Sequence, residues 1–517
     1  MRQQDIGRRI HAAAMEAGLT LRELAARIGV SHPTIYAYTS GALVPPISRL
    51  RQIAEALGKQ AEYFEARSVA PSASSIDKVV DALLTPPDSK KAYQVAIDAA
   101  NKHKEDGRQV QQAMALHKAG NALLYDGAYK EASTCLSESL EIFRSLELPE
   151  RTGAVAQSLG YCLINLGQLD AAETCFSIAA ENYGESEKWK AKVSMAALEH
   201  RRGNFHESEL LLQALDATRP TSDVSGYILF NKASHALDRG FWARSLELNR
   251  KALNVAKRHR LTDQVCERMV QIAHALAKSA DLEGASLWVI RAQDTCEAFN
   301  DQARLALANA ICARIRVYSG RIDEGLTLAQ KAIDLGRAGG YPRSQLAGME
   351  VLAEATLCSK VPDLSLIERA LAFAEENCYP ASIATLCSIH ASAACRVDPK
   401  AAKELAQKAV QLPFLSELGE QRAMALSSMA KALSIQPVEA ARWSREALAV
   451  AAESGSLWFM IQERSRLADY LKKSGETSEA VRLSEDLDKD KVQMCKQIVH
   501  ETLDSDLKTF QVQLPLC

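Results

Sequence analysis

The sequence predicts an all-α protein in which a small N-terminal helical domain precedes a long array of helical hairpins. Hydrophobic residues make up 47% of the 517 residues, aromatic residues only 6%, and Gly and Pro number 25 and 15. This Ala- and Leu-rich balance favours helices. Past about residue 110 the sequence repeats every 36 to 40 residues, the length of a helical hairpin. A chain of this length divides into domains or repeats because one core cannot hold it.

Residues 1–67 are predicted to form about five short helices with local start and stop signals. Thr20, followed three residues later by Glu23, is a capping box, since each side chain can bond the other residue's backbone N–H. Gly29 supplies a left-handed turn after the helix that this box begins, and Ser31 caps the next helix. The prediction is therefore a helix, a tight glycine turn and a second helix.

This pattern resembles the Cro/repressor-type helix-turn-helix family, often called XRE. The resemblance covers about 60 residues in linked pieces: GLTLRELAARIGVSHPTI, then Tyr38, Gly41 and Pro45, and LRQIAEALG. It implies that the helix from Ser31 to Tyr38 lies in the DNA major groove, with its N-terminal residues facing base edges. The residues that it places at the bases, besides Ser31, are His32, Pro33, Thr34, Tyr36 and Ala37.

The predicted recognition helix is poor in cations, because His32 is its only candidate. Arginine forks to guanine are therefore absent, and the affinity must come mainly from phosphate contacts made by cations outside the helix. The candidates are Arg22, Arg27, Arg49 and Arg51. Two alternatives stay open: these arginines solvate helix faces, or the whole domain binds protein instead of DNA.

Residues 68–109 are predicted as a linker with connecting helices. VAPSASS at 69–75 is small and polar, and TPPDS at 85–89 interrupts the helical pattern. Residues 491–517 are predicted as a C-terminal helix and tail that cap the array, with dimerisation as the alternative use of that helix.

About ten hairpins are predicted between residues 110 and 490. Small residues recur seven positions before and five positions after each turn, where they let the two helices approach closely. The pattern resembles the tetratricopeptide repeat (TPR), stretched beyond its usual 34 residues. The resemblance implies a TPR-like right-handed α-solenoid after the small five-helix repressor-like domain. The predicted turns lie at Gly127, Gly167, Gly203, Gly240, Ala280, Gly320 and Gly475, and less clearly near Lys360, Val397 and Ile435.

In the TPR family the first helix of each repeat lines a concave groove that binds peptides or partner proteins. Asn and Gln side chains can pair with a peptide backbone, and aromatic rings can hold its side chains. For any single residue the alternative is a solvated position or a contact within the superhelix. The matching positions are His117, Asn121, Tyr125, Gln157, Tyr161, Asn165, His200, Arg201, Tyr227, Phe230, Ser234, His274, Arg314 and Tyr318.

Other functions find little support in the sequence. It contains no GxxxxGK, HExxH or GxSxG motif, so we expect no enzymatic activity and no cofactor. Its twelve Cys show no CxxC pair, so we expect no metal site and interpret the cysteines as buried reduced thiols. The net charge of −2 gives the whole chain no attraction for polyanions, although residues 1–67 carry nine basic and six acidic residues. No apolar run approaches the roughly 18 residues of a membrane span, so a soluble, cytoplasmic protein without membrane contact is expected.

These features together predict a bacterial transcriptional regulator that acts as a homodimer. Double-stranded operator DNA and a peptide or protein ligand in the TPR groove are the expected partners. The layout resembles the peptide-sensing repeat regulators of Gram-positive bacteria, in which a ligand would change the superhelix pitch and reposition two DNA-binding domains. The alternative is a scaffold or adaptor, which the cation-poor helix and the length of the array favour.

Overall fold

Every regular element in the described part of the chain is helical, so the all-α prediction is confirmed. The contacts divide the chain into two units, residues 1–76 and residues 77–517, each with hydrophobic clusters of its own. The computed structural model describes residues 10–485 except for 12, 15–16, 18, 40–42, 44, 46, 60–88, 219–221 and 260.

The N-terminal unit contains α1 (Leu21–Arg27), α2 (His32–Thr39) and α3 (Ile47–Ala56), preceded by helical residues at 10, 11, 13 and 14. The prediction of about five helices also covers residues 60–67, which lie outside the described residues. Each helix contributes buried apolar side chains to one shared core. Removal of this apolar surface from water holds the helices together. The fully buried members of the core include Ile10, Leu24, Ile35 and Ile53.

The predicted start signals of α1 and α2 are confirmed. Glu23 N donates to Thr20 Oγ1 over 3.3 Å, and Thr20 N donates to Glu23 Oε2 over 2.8 Å. Gly29 between the two helices has a φ of +67°, a backbone conformation that favours glycine. Thr34 N donates to Ser31 Oγ over 3.3 Å, so Ser31 caps α2 as predicted.

The second unit is a succession of helices joined by short turns. Helical residues at 477–485 follow the last helix of known bounds. The bounds are α4 (Ser89–Glu105), α5 (Gln109–Tyr125), α6 (Tyr129–Ser145), α7 (Pro149–Asn165), α8 (Leu169–Asn182), α9 (Lys188–Arg202), α10 (Phe205–Asp216), α11 (Ser222–Asp238), α12 (Trp242–Arg258), α13 (Thr262–Lys278), α14 (Leu282–Ala298), α15 (Gln302–Tyr318), α16 (Ile322–Gly339), α17 (Pro342–Thr356), α18 (Leu364–Glu376), α19 (Pro380–Ala394), α20 (Pro399–Val410), a 3-10 turn (Leu415–Glu417), α21 (Glu420–Ala432), α22 (Pro437–Ser454) and α23 (Leu457–Ser474).

The hairpins reverse at the predicted turns. Near Lys360, Val397 and Ile435 the chain also reverses between two helices, although none of these three residues has a positive φ. Helix α4 packs against α5, so helix packing begins within the segment that was predicted as linker and connecting helices. The predicted turn residues with φ between +66° and +91° are Gly127, Gly167, Gly203, Gly240, Ala280, Gly320 and Gly475.

The small residues of the repeat lie where the helices of a hairpin touch. A Cβ atom at Gly120 would lie 2.5 Å from Leu136 Cγ. A Cβ atom at Gly160 would lie 2.3 Å from Phe176 Cε1. Only a hydrogen atom fits at either position, because folded cores leave no free space of that size.

The array coils far enough for its early turns to touch loops from much later hairpins. Gly419 N donates to Arg239 O over 2.7 Å, and Arg201 Nη2 donates to Asn377 O over 2.6 Å. The concave face is therefore enclosed along this part of the array, where the TPR resemblance implied an extended open groove. We call this line of contacts the seam: it joins the turns at Gly127, Gly167, Gly203 and Gly240 to residues 339–341, 376–378, 414 and 417–421.

Candidate functional site

Helix α2 turns one face outward and buries the other. Ile35 and Tyr38 are buried in the core of the N-terminal unit, which fixes the orientation of the helix. Tyr36 is 61% exposed, the largest value among the aromatic residues of this unit's described part. The predicted base-facing residues lie on the outer face: Ser31, His32, Pro33 and Tyr36 are exposed, and Thr34 and Ala37 are partly buried.

The hydroxyl groups at the start of α2 already interact with each other. Ser31 Oγ and Thr34 Oγ1 are 2.7 Å apart, and Ser31 also accepts from the Thr34 amide. Whichever hydroxyl donates, Thr34 Oγ1 keeps at least one lone pair for an outside partner. A contact from Thr34 to a base would therefore be held in place by the helix cap.

The predicted phosphate-binding arginines differ in their surroundings. Arg22 and Arg27 are exposed on α1. Arg49 Nη1 donates to Ile28 O over 3.0 Å and to Gln52 Oε1 over 2.7 Å. Arg49 thus ties the end of α1 to α3, a role that neither the phosphate prediction nor its alternative of a solvated helix face contained. The side chain of Arg51 lies outside the described part.

The inner face of the array encloses a cavity of about 280 Å³, which we call the first chamber. Its wall comes mainly from the first helices of successive hairpins, α7 to α21. The predicted groove residues that line it are Asn165, His200, Arg201, His274 and Arg314.

Several polar atoms of the chamber wall are buried without a partner. The set contains both donors and acceptors, each of which costs free energy when buried unpaired. These atoms have no exposed surface of their own, so a ligand with donors and acceptors would satisfy them after a movement of the side chains around them. The atoms are His200 Nδ1, Arg201 Nε, Gln271 Oε1, Tyr379 Oη and Gln421 Oε1.

Other predicted groove residues bond to neighbouring hairpins. His117 Nε2 lies 3.2 Å from Ser158 Oγ, and burial lowers the pKa of His117 to about 4. Gln157 Nε2 donates to Ser194 Oγ over 3.0 Å, and Ser194 in turn donates to Tyr161 Oη over 3.1 Å. These contacts fit the alternative in which the residues hold the superhelix together.

Five further predictions have different outcomes. Phe230 is 5% exposed in the core formed with α12 and α13, so its assignment to the groove is corrected: it faces the interior of the hairpin stack. Tyr125 and Tyr227 are each 46% exposed. Neither tyrosine lines the first chamber, and Asn121 does not line it either. Ser234 accepts from Gln271 Nε2 over 3.2 Å.

A buried ion-pair network crosses the inner space. Lys278 Nζ lies 2.7 Å from Glu420 Oε1 and 3.8 Å from Glu354 Oε1. Arg314 bonds to Glu354 over 3.2 Å and to Glu350 over 3.1 Å. Burial opposes the charge on Lys278, but Glu420 together with Tyr318 and Glu354 outweighs it and raises the pKa of Lys278 above its usual value. The cation is therefore held in the charged form.

Beyond this network lies a second chamber of about 520 Å³. Lys278, Glu354, Glu420 and Met424 belong to the walls of both chambers, so the two are neighbours. Tyr318, a predicted groove residue, lines this second chamber, where its ring stacks on Trp458 with 4.5 Å between centroids.

The comparison with protein families identifies the N-terminal unit, since the helix-turn-helix family matches residues 10–64. Residues 10–64 form an XRE-type helix-turn-helix domain. This class of domain binds DNA, and the chain thus joins a DNA-binding domain to a TPR-like array, as the sequence predicted.

The chain is similar to several solved structures. A Rap protein complexed with competence and sporulation factor is 12% identical, with a TM-score of 0.50 over 67% of this chain and 99% of that chain. PlcR of Bacillus thuringiensis, in complex with the peptide PapR7 and DNA, is 16% identical, with a TM-score of 0.27 over 59% of this chain and 99% of that chain. The similarity to the Rap protein supports the helical-repeat fold alone. No curated protein sequence matches this chain.

No helix among the described residues is long and apolar enough to cross a membrane. The described ranges also contain no group of three or more His, Cys, Asp or Glu that could hold a metal ion. The cysteines described are free thiols, and most are buried or partly buried, whereas Cys358 is exposed.

Some chamber residues were not predicted, although the sequence contained a signal for two of them. Ser234, His274 and Arg314 were predicted at 40-residue steps, and the next step is Glu354, which lies in the wall of both chambers. In the same way Lys278 lies 40 residues before Tyr318. The register of the clear repeats therefore extends into the degenerate ones. Tyr379 and Gln421 had no such signal, because they reach the chamber through the seam.

Proposed function

We propose that this protein is a cytoplasmic transcriptional regulator whose binding to operator DNA is controlled by a peptide or protein ligand in the TPR-like array. The DNA-binding half is supported by the exposed outer face of α2. The ligand-binding half rests on one observation, the five unpartnered polar atoms in the wall of the first chamber.

A peptide suits these atoms because its backbone alternates N–H donors and C=O acceptors. Arg201 Nε offers a donor, whereas Gln271 Oε1 and Gln421 Oε1 offer acceptors. At about 280 Å³ the first chamber is near the lower end of the size of ligand pockets, so it would hold a few residues of a peptide.

The seam supplies a route from ligand to DNA. Arg201 and Gln421 belong both to the seam and to the wall of the first chamber. A ligand that bonds to both would favour one position of the early hairpins relative to the later hairpins that they touch at the seam. It would thereby favour one pitch of the array. In a homodimer that pitch would set the spacing of two helix-turn-helix domains on the half-sites of an operator.

The proposed DNA binding is tested by measuring how the full-length protein binds the DNA upstream of its own gene. Scrambled DNA serves as the comparison, and the salt concentration is varied. The double variant Thr34→Ala/Tyr36→Ala should bind the selective site about tenfold more weakly or worse, since base contacts contribute about 1–3 kcal/mol each. Tyr125→Ala, a matched change at an exposed tyrosine of the array, should bind like the wild type.

Selective binding by the double variant at wild-type strength would overturn the assignment of α2 as the reading helix. Absence of selective binding by the wild type at low salt, with and without cell extract, would favour the adaptor alternative. One structural feature favours that alternative. The guanidinium of Arg49 already donates to Ile28 O and to Gln52 Oε1, which leaves fewer of its N–H groups for phosphate.

The ligand half has its own test. A low-molecular-weight peptide fraction from the source cells, with and without protease treatment, is added to the operator-binding assay. We expect a protease-sensitive change in operator affinity that Tyr379→Phe weakens and Tyr125→Phe leaves intact, because only the Tyr379 hydroxyl is buried without a partner. An effect that survives protease, or that Tyr379→Phe does not alter, contradicts a peptide in the first chamber.

A further inference from the structure

The second chamber has a charge balance different from the first. Its wall contains the cations Lys278, Arg396, Lys431 and Arg466 and the carboxylates Glu354 and Glu420. Both carboxylates are already engaged, since Lys278 pairs with both and Arg314 pairs with Glu354. The remaining cations of the wall therefore need partners of their own.

Arg466 and Arg396 have such partners. Arg466 pairs with the fully buried Glu463, which also accepts from Ser427 Oγ over 2.7 Å and from Ser444 Oγ over 2.6 Å. Both oxygens of this carboxylate are thus occupied. Arg396 is exposed to water and donates to the backbone carbonyls of two residues after α17.

Lys431 lacks a counter-ion. Its Nζ donates to Ser392 Oγ over 2.9 Å, and in the described part of the chain no carboxylate lies within 4.0 Å of it. The neighbouring thiol of Cys395 cannot serve, because burial raises its pKa and keeps it protonated. Burial, reinforced by the nearby Arg466, lowers the pKa of Lys431 to about 7. Without an anion beside it this amine is only partly protonated at neutral pH, and a bound oxyanion would favour its charged form.

The wall that contains this amine also carries apolar and aromatic side chains. Trp458 stacks on Tyr318, and Phe459 and Met424 also line the chamber. Flat rings and a flexible thioether accept an apolar body of varied shape. The second chamber thus offers both apolar surface and an amine without a counter-ion.

We propose that the second chamber is a binding site for an organic oxyanion, a carboxylate or phosphate group on an apolar or aromatic body, with Lys431 as its charge partner. The anion would take the position beside Ser392 Oγ, and the apolar body would lie against Trp458. The site lies within the array and does not depend on DNA binding, so its test measures ligand binding alone.

The test uses full-length protein, isothermal titration calorimetry and three small probes. They are 4-phenylbutyrate, its uncharged amide, and phenyl phosphate. We expect at least one of the two anions to bind about tenfold or more tightly than the amide, because an oxyanion paired with a desolvated cation contributes more than an amide does. The tighter anion identifies the oxyanion class.

Variants at Lys431 locate the site. Lys431→Met should remove the preference for the anion over the amide, and Lys431→Arg should restore much of it. Lys403→Met makes the same change at an exposed lysine of α20 and should leave all three affinities unchanged. Equal binding of anion and amide by the wild type, or an anion preference that persists in Lys431→Met, would overturn the proposal.

Discussion

Arg201 Nη2 donates to the backbone carbonyl of Asn377 over 2.6 Å, although 176 residues separate the two along the chain. The same guanidinium lies 3.8 Å from the centre of the Tyr379 ring. Hydrogen bonds to charged groups and stacked cation–ring contacts are among the stronger contacts available to a surface loop. Since both Arg201 and Tyr379 line the first chamber, the closure of the seam and the shape of the chamber depend on the same side chains.

Substitution of a turn glycine measures the seam directly. A Cβ atom at Gly167 would lie 2.7 Å from the carbonyl oxygen of Glu376 across the seam. Gly320 has a similar φ, +78° against +73°, and a Cβ atom there meets nothing within 4 Å. Gly320→Ala should therefore cost only the backbone strain, about 1 kcal/mol, whereas Gly167→Ala should cost about 1–3 kcal/mol more.

The measurement is the midpoint of urea unfolding of the two variants and the wild type. The difference between the variants isolates the seam, because the strain at the two turns is nearly the same. Equal midpoints for the two variants would mean that the turn at Gly167 does not touch the loop at Glu376.

The hairpins were predictable because their signals are local. A turn glycine, a small residue seven positions earlier and an apolar residue beside the turn recur at one period, so each copy supports the next. The seam was not predictable for the opposite reason. Gly167 and Glu376 belong to different copies, and nothing in the sequence near either of them encodes their contact.

The predicted groove residues show the same division. Register placed His274 and Arg314 on the inner face correctly, since position within a repeat decides which face a residue occupies. It could not decide whether an inward side chain is free for a ligand or bonded to the next hairpin, as Gln157 is to Ser194. Phe230 was misplaced because an aromatic residue on a first helix fits both the groove and the core.

Removal of the charge on Glu420 should destabilise the array strongly. Glu420 is 4% exposed, accepts from Trp242 Nε1 over 2.6 Å and pairs with Lys278 over 2.7 Å. Glu420→Gln keeps the shape but leaves Lys278 with only the more distant Glu354, so we expect a loss of about 3 kcal/mol of unfolding free energy.

Urea unfolding checks this prediction, with Glu404→Gln at an exposed site of α20 as the control. The control should stay within about 0.5 kcal/mol of the wild type. The double variant Glu420→Gln/Lys278→Met should lose less than the sum of the two single losses, because each single change strands a buried partner of the other. Additive losses would argue against a direct interaction between Glu420 and Lys278.

The low pKa of His117 predicts a loss of stability in acid. Burial lowers its pKa in the folded protein to about 4 from the ordinary value of 6.5. Between these two pH values the unfolded chain binds a proton that the folded chain does not, so stability is greatest above pH 6.5 and falls as the pH falls toward 4. The full contribution of this residue is about 3 kcal/mol.

Unfolding free energies at pH 7 and pH 4.5 test the sign. The loss between them should be smaller in His117→Gln than in the wild type, because the substituted side chain does not titrate. His206→Gln, at an exposed histidine of α10, should show the wild-type loss. An unchanged loss in His117→Gln would mean that this ring is as free to bind a proton in the folded state as in the unfolded one.

The salt dependence of operator binding should distinguish the arginines of the N-terminal unit. Arg27→Gln should reduce the slope of log affinity against log salt by about 1 and leave stability nearly unchanged, since Arg27 is exposed and each phosphate contact releases about one counterion. Arg49→Gln should also lower the midpoint of thermal unfolding, because it removes the bond to Ile28 O that ties α1 to α3. Arg337→Gln, at an exposed arginine of the array, controls for net charge. A slope for Arg27→Gln equal to that of Arg337→Gln would remove Arg27 from the DNA interface and leave its charge as a solvated face of α1.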